Sequence, residues 1–167
     1  MRRTPARNDF DGWVSQLGHA SSRPRAKQHL YAAGRTAVGA ICRGLRHDKA
    51  IVRRQCVNLL DHLVDDDSLP ALIAAVDDTD PSVAGRALHA LACDRCKEGA
   101  CRPGEDLWVP KALGLLHHPD PDLRAAAIDA LGKVASRRED VVAALLTVSE
   151  HDTDRGLRGM ARHHAGR

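Results

Sequence analysis

Apolar and polar residues recur along most of the chain with the period of an α-helix. Val52, Cys56, Val57 and Leu60 stand at i, i+4, i+5 and i+8, one stripe of a helix surface. The same stripe returns as Val83, Ala87, Leu88 and Leu91, and again as Leu123, Ala127, Ile128 and Leu131. A fainter copy follows at Leu157-Arg158-Gly159-Met160-Ala161. A second helical pattern precedes each copy, over 37–45, 70–76, 110–116 and 141–148, and its closing residues Leu45, Val76, Leu116 and Val148 lie 31, 40 and 32 residues apart. Polar turns separate the two patterns. In two of them Asp80-Pro81 and Asp120-Pro121 predict helix starts, because the Asp side chain accepts from an orphan N–H and proline at the first helical position loses nothing. Residues 9–17 and 24–33 predict a degenerate pair ahead of these. A helix hairpin of this size cannot bury both apolar stripes alone, whereas stacked neighbours can. The expected architecture is therefore all-α, an α-solenoid of about five antiparallel helix pairs over 9–167, with a flexible basic segment at 1–8.

The repeat resembles the HEAT-repeat family, including the short HEAT-like repeats named after phycobilisome lyases. The residues that carry the resemblance are Leu72, Val76-Asp77-Asp78-Thr79-Asp80-Pro81-Ser82-Val83, Ala87-Leu88 and Leu91, and then Leu113, Leu116, Asp120-Pro121-Asp122-Leu123-Arg124, Ala127-Ile128 and Leu131. It extends over about 36–165. It implies a scaffold that holds another protein on a curved surface, with a minority of relatives acting on bilins or on DNA. It also implies that the second helix of each pair lines the concave side. On that side Asn58, His89, Asp129 and His163 are equivalent, and one turn further His62, Cys93 and Lys133 are equivalent. Asn58, His62, His89, Asp129 and Lys133 are thus the candidate partner-binding residues. Arg53, Arg86, Arg124 and Arg158 are expected to pair with an aspartate of the turn before their own helix.

Composition agrees with helices and narrows the chemistry. Of 167 residues, 43% are apolar and 28% charged, as in a folded soluble domain. Phe10, Trp13, Tyr31 and Trp108 are the only aromatics, so aliphatic side chains must build the core. No apolar run approaches the ~20 residues of a membrane span. The basic start leads into no apolar stretch of the kind a secretory signal needs. With five cysteines and no export signal, a reducing, cytoplasmic location is expected. The net charge of +3 is unevenly spread. Residues 1–54 hold 12 Lys/Arg against 3 Asp/Glu, residues 55–110 hold 4 against 11, and residues 111–167 hold 9 against 8. The basic head supplies an alternative function, nucleic-acid binding with phosphate contacts at Arg23, Arg25, Lys27, Arg35, Arg46 and Arg54, although the aromatic stacking surface that single-strand binders use is missing.

One connection breaks the repeat length. Leu60 to Pro70 spans 10 residues and Leu91 to Pro110 spans 19. The insertion, at 93–105, carries Cys93, Cys96 and Cys101 in a C-x2-C-x4-C spacing. Two thiolates so spaced can grip one ion, and Gly99 and Pro103-Gly104 supply bends to return the third. His89, one turn before Cys93, is the candidate fourth ligand, with His62 as another option. A structural zinc is the expected occupant. An iron–sulfur cluster and a Cys93–Cys96 redox pair are the competing chemistries, the latter opposed by the dipole of the helix C-terminus. Cys42 and Cys56 fall on apolar stripes and read as core fillers. His47, His117, His118 and His151 fall in turns and read as solvated. Asp65-Asp66-Asp67 reads as favourable charge at a helix start. No phosphate-binding loop, dinucleotide fingerprint, nucleophile elbow or H-E-x-x-H occurs. The leading expectation is a non-catalytic scaffold for a protein partner, and the third reading is a HEAT-like lyase or thiol redox protein.

Overall fold

Aspartates fix where the second helices of the repeats begin. Asp80, Asp120 and Asp154 stand in extended backbone, and each accepts through Oδ1 from the N–H groups of the second and third residues of the helix that follows. Pro81 and Pro121 occupy the first helical position, as their fixed φ favours. The computed structural model describes residues 4–93 and 103–166. Among these it holds ten α-helices and no strand. They are α1 Phe10–Gln16, α2 Arg23–Ala33, α3 Arg35–Gly44, α4 Ala50–Leu63, α5 Leu69–Ala74, α6 Pro81–Ala92, α7 Glu105–Leu115, α8 Pro121–Gly132, α9 Glu139–His151 and α10 Arg155–His164. Single 3-10 turns at Ala75–Asp77 and Ala135–Arg137 extend α5 and lead into α9.

Consecutive helices pair as hairpins, and the hairpins stack into a solenoid. The second helices α2, α4, α6, α8 and α10 pack side by side in an unbroken row. Of the first helices, α1 packs on α3, but from α3 onward they make no comparable contact with one another. A row that is close on one side and spread on the other bends into an arc with the second helices inside. The predicted stripes fill the space between the two layers. Val52, Cys56, Val57, Leu60, Val83, Ala87, Leu88, Ala127, Ile128 and Leu131 are all wholly buried. Each such Val, Leu or Ile contributes about 1.5–3 kcal/mol by leaving water. One continuous apolar cluster runs from Trp13 to Ala161. Close approach is needed at Gly44, where a Cβ would lie 2.5 Å from Cys56 Sγ and 2.6 Å from Val14 Cγ1.

The degenerate front pair is present as α1 and α2. Of the segment expected to be loose, residues 4–8 are described and carry two tethers. The Trp13 indole N–H donates to the Ala6 carbonyl at 2.9 Å, and His29 Nε2 lies 2.7 Å from the Arg7 carbonyl. The His29 ring stacks on Trp13 at 4.4 Å. The fourth pair departs from expectation at α7, which starts at Glu105 rather than at Pro110. Part of the added length between Leu91 and Pro110 is therefore helix, with Pro110 inside it at the cost of one intrahelical hydrogen bond. Glu105 at the helix start then reaches Arg137, and Trp108 is buried.

The arginine pairing differs from the sequence expectation in partner and in register. Arg53 Nη1 donates to the carbonyls of its own turn, His47 and Asp48, while Nε and Nη2 form a bidentate fork on Asp78 of the next turn, at 2.7 and 2.8 Å. Arg124 repeats this with His118 and Pro119 carbonyls and with Asp152 of the next turn, at 2.8 and 3.0 Å. Arg158 keeps the carbonyl half, on Asp152 and Thr153. The fork therefore joins successive repeats rather than a helix to its own turn. Arg86 stands two residues off the register. The position equivalent to Arg53 and Arg124 is Ala84, so the joint between the third and fourth pairs has no fork. The turn histidines are also not simply solvated. His47 Nδ1 and His118 Nδ1 accept from the N–H of Lys49 and Asp120, at 3.0 and 3.1 Å, where Asp78 and Asp152 do the same for Asp80 and Asp154.

Two outcomes follow from this packing. Gly44→Ala is expected to destabilise the fold by about 1–3 kcal/mol, since the new methyl meets Cys56 and Val14 on packed helices; urea unfolding measures it. Arg124 holds the Asp152 carboxyl below its usual range, chiefly through its side-chain hydrogen bond, and the Asp154 N–H helps. A group with a lowered folded pKa stabilises above its unfolded pKa and loses that contribution as pH falls through the folded one. With both side chains mostly buried, Asp152→Asn is expected to cost about 2–4 kcal/mol at neutral pH. The gap from wild type should narrow as pH falls below the ordinary aspartate range, about 4, and close once the carboxyl is protonated in the folded state. A gap that persists in acid would show that the loss is steric.

Candidate functional site: the inner groove

Because the second helices turn their apolar stripes inward to the first helices, the residues between the stripes face the concave side. From α2 this brings Lys27 and the half-exposed Tyr31, at 53% exposure. From α4 it brings Asn58, Asp61 and His62, and from α6 it brings Arg86. These side chains line a groove of about 470 Å3 between α2, α4 and α6. The Tyr31 and His62 rings meet edge to face at 5.9 Å. A second groove of about 480 Å3 runs between α6 and α8 and is lined by Ser82, Arg86, His89, Asp120, Asp122 and Ala126, among others. Gly85 keeps it open on the α6 side, since a Cβ there would reach to 3.4 Å from Ala126 across it. Arg86 borders both grooves, so they form one track across the four helices α2, α4, α6 and α8.

Charge along the track is mixed and ordered. At its turn end, Asp80 is held ionised well into acid by the Ser82 hydroxyl, with the Val83 and Ser82 N–H groups adding to the effect. Asp120 and Asp122 lie beside it. The middle carries Arg86, which forms none of the ion pairs found among the described residues, and the far groove carries Lys27. A track with a guanidinium at its middle and an ammonium and an exposed tyrosine ring at its α2 end is suited to bind a polypeptide. Arginine and tyrosine are enriched where interfaces concentrate their energy.

The sequence-predicted residues divide. Asn58, His62 and His89 line the track. Asp129 and Lys133 pair with each other along α8 at 3.3 Å. Of the six candidate phosphate contacts, Lys27 is in the track. Arg23 Nε donates to the Leu17 carbonyl at 2.8 Å, the Arg25 guanidinium lies 5.7 Å from the Trp13 ring, and Arg54 reaches Ser82 Oγ at 3.4 Å. Arg35 and Arg46 bracket α3 and stand about 15 Å apart along it. Of the candidate metal ligands, His89 and Cys93 are described and Cys96 and Cys101 lie outside the described residues. His62 turns to Tyr31, and its neighbour Asp61 comes near His89 and Cys93 instead. Tyr31 and Arg86 were missed as groove residues. Both sit one position off a buried residue, Leu30 and Ala87, a signal readable only once the helix faces are assigned.

Residues 98–164 match the family model described as HEAT repeats. Over that stretch the chain is similar to the HEAT-repeat family. A chain from the complex of CpcE and CpcF of phycocyanin lyase from Nostoc sp. PCC7120 superposes with a TM-score of 0.73 at 16% identity, covering 93% of this chain and 96% of that one. A designed armadillo repeat protein in complex with the peptide (KR)4 has a TM-score of 0.54 at 14% identity, over 93% of this chain and 80% of that one. An engineered protein from a structural genomics programme gives 0.54 at 19%, over 93% and 79%. At these identities the likeness establishes the solenoid fold. No curated protein matches the sequence.

The core thiol Cys56 contrasts with this open track. It is wholly buried, and burial, with the nearby Cys42 adding, pushes it up to about 12. Burial likewise raises the half-exposed Cys42. Cys56 is therefore expected to resist iodoacetamide at pH 8 until denaturant unfolds the chain, with Cys42 modified first; peptide mass spectrometry reads the order.

Proposed function

We propose that the protein is a non-catalytic scaffold that binds an extended segment of a protein partner along the concave track. The observation that carries this reading is the continuity of the two grooves through Arg86, with Tyr31 exposed on one side and His89 on the other. HEAT and armadillo-like solenoids commonly mediate protein interactions, and among the similar structures one is of a two-protein complex and another holds a peptide. The segment that fits carries a carboxylate for Arg86 and an apolar or aromatic side chain for Tyr31. Asp120 and Asp122 take a basic residue at the turn end.

Arg86→Ala and Tyr31→Ala are each expected to weaken the partner about tenfold or more without changing thermal stability, whereas Leu107→Ala on a first helix leaves binding unchanged. The measurement is affinity capture from native lysate with each variant, followed by titration of the partner so identified. Equal capture by wild type, Arg86→Ala and Tyr31→Ala would place the binding surface elsewhere.

A further inference from the structure

The last turns of α4 and α6 bring three different metal-ligating side chains to one place. One oxygen of Asp61, one ring nitrogen of His89 and the Cys93 sulfur all lie within 4.8 Å of one another. His89 and Cys93 are one helical turn apart at the end of α6, so they share a face. Asp61 comes from the neighbouring inner helix, three residues before the α4 C-cap. We propose that Asp61, His89 and Cys93 form a binding site for a divalent transition-metal ion, zinc in the first instance, which clamps α4 to α6 at the edge of the inner groove.

Four observations support the site. First, the donor set is right for zinc, which takes thiolate, imidazole and carboxylate at 2.0–2.3 Å in a tetrahedron whose ligand atoms stand about 3.4–3.8 Å apart. The three atoms, within 4.8 Å of one another, reach that spacing by closing about 1–1.4 Å at most. Second, among the described residues the buried Asp61 Oδ1 has no hydrogen-bond partner and Asp61 forms none of the ion pairs. A buried carboxylate oxygen left so is costly, and a cation satisfies it. Third, both helices present their C-terminal ends here, and the partial negative charge of two such ends favours a cation. Fourth, Cys93 is 7% exposed while His89 faces solvent, so the site has a shielded thiolate and an open side for entry and for a fourth ligand. This differs from the ligand set read from the sequence, Cys93, Cys96, Cys101 and His89, in that Asp61 joins His89 and Cys93 and ties the ion to the preceding repeat. The inference does not depend on the partner-binding reading.

The test is titration of the full chain, stripped of metal and carrying no histidine tag, with zinc and separately with cobalt(II). One equivalent of zinc is expected to bind and to raise the melting temperature. Cobalt(II) is expected to give a thiolate charge-transfer band in the near ultraviolet that Cys93→Ser abolishes. Asp61→Asn and His89→Ala should each weaken zinc at least tenfold, and circular dichroism without metal confirms that these variants fold. Absence of stoichiometric binding would overturn the proposal. So would unchanged affinity in Asp61→Asn and His89→Ala with loss in a Cys96→Ser/Cys101→Ser variant, which would assign the ion to the insertion's own thiols.

Discussion

No hairpin in this chain can hide its apolar stripe without the next hairpin, and the rest of the structure follows from that constraint. The buried Val, Leu and Ile of α4, α6 and α8 are sheltered by the first helices on one side and by their own row on the other. Small residues make the row close. Ala87 and Ala127 are wholly buried, and Gly85 meets Ala126 across the α6–α8 gap. Aliphatic side chains of modest size suit such a thin two-layer core, and explain why a chain with four aromatics folds without more.

Onto this apolar row the polar turns add a directional connection. An arginine on the inner helix gathers the carbonyls of its own turn and forks onto the aspartate of the next one. The aspartate also caps the N–H of the residue two positions on, so one carboxylate fixes a turn and a joint together. Where the turn carries histidine instead, the cap survives and the fork does not. The pairs Arg53 with Asp78 and Arg124 with Asp152 alternate with Ala84 and His118. The joint between the third and fourth pairs, spanned by the longer connection between α6 and α7, has no fork, and the Glu105–Arg137 pair lies beyond it, joining the start of α7 to the turn after α8.

The inner track is a by-product of the same geometry. Helix positions beside the stripes must face solvent on the concave side, and five inner helices in a row turn those positions into a continuous surface. Arg86 is available there because it lies outside the fork register. Tyr31 is available because α2 buries Ala26 and Leu30 and leaves the next residue outward. Asp61, His89 and Cys93 converge because α4 and α6 end side by side, both with their carbonyl ends at the groove edge.

The amino-acid pattern alone determined the all-helical repeat, the Asp-Pro helix starts and the buried stripes, since each depends on residues within a few positions of one another along a helix. It also placed Asn58, His62 and His89 on one face by repeat equivalence. Contacts between helices were another matter. Arg53 reaching forward 25 residues to Asp78 rather than back to its own turn, and Asp61 rather than His62 meeting Cys93, depend on how neighbouring helices are offset and rotated. An i, i+4 rule fixes which side of a helix a residue occupies. Only the packed row fixes which residue on the next helix stands opposite, because an offset of one position turns a side chain by about 100° around the axis.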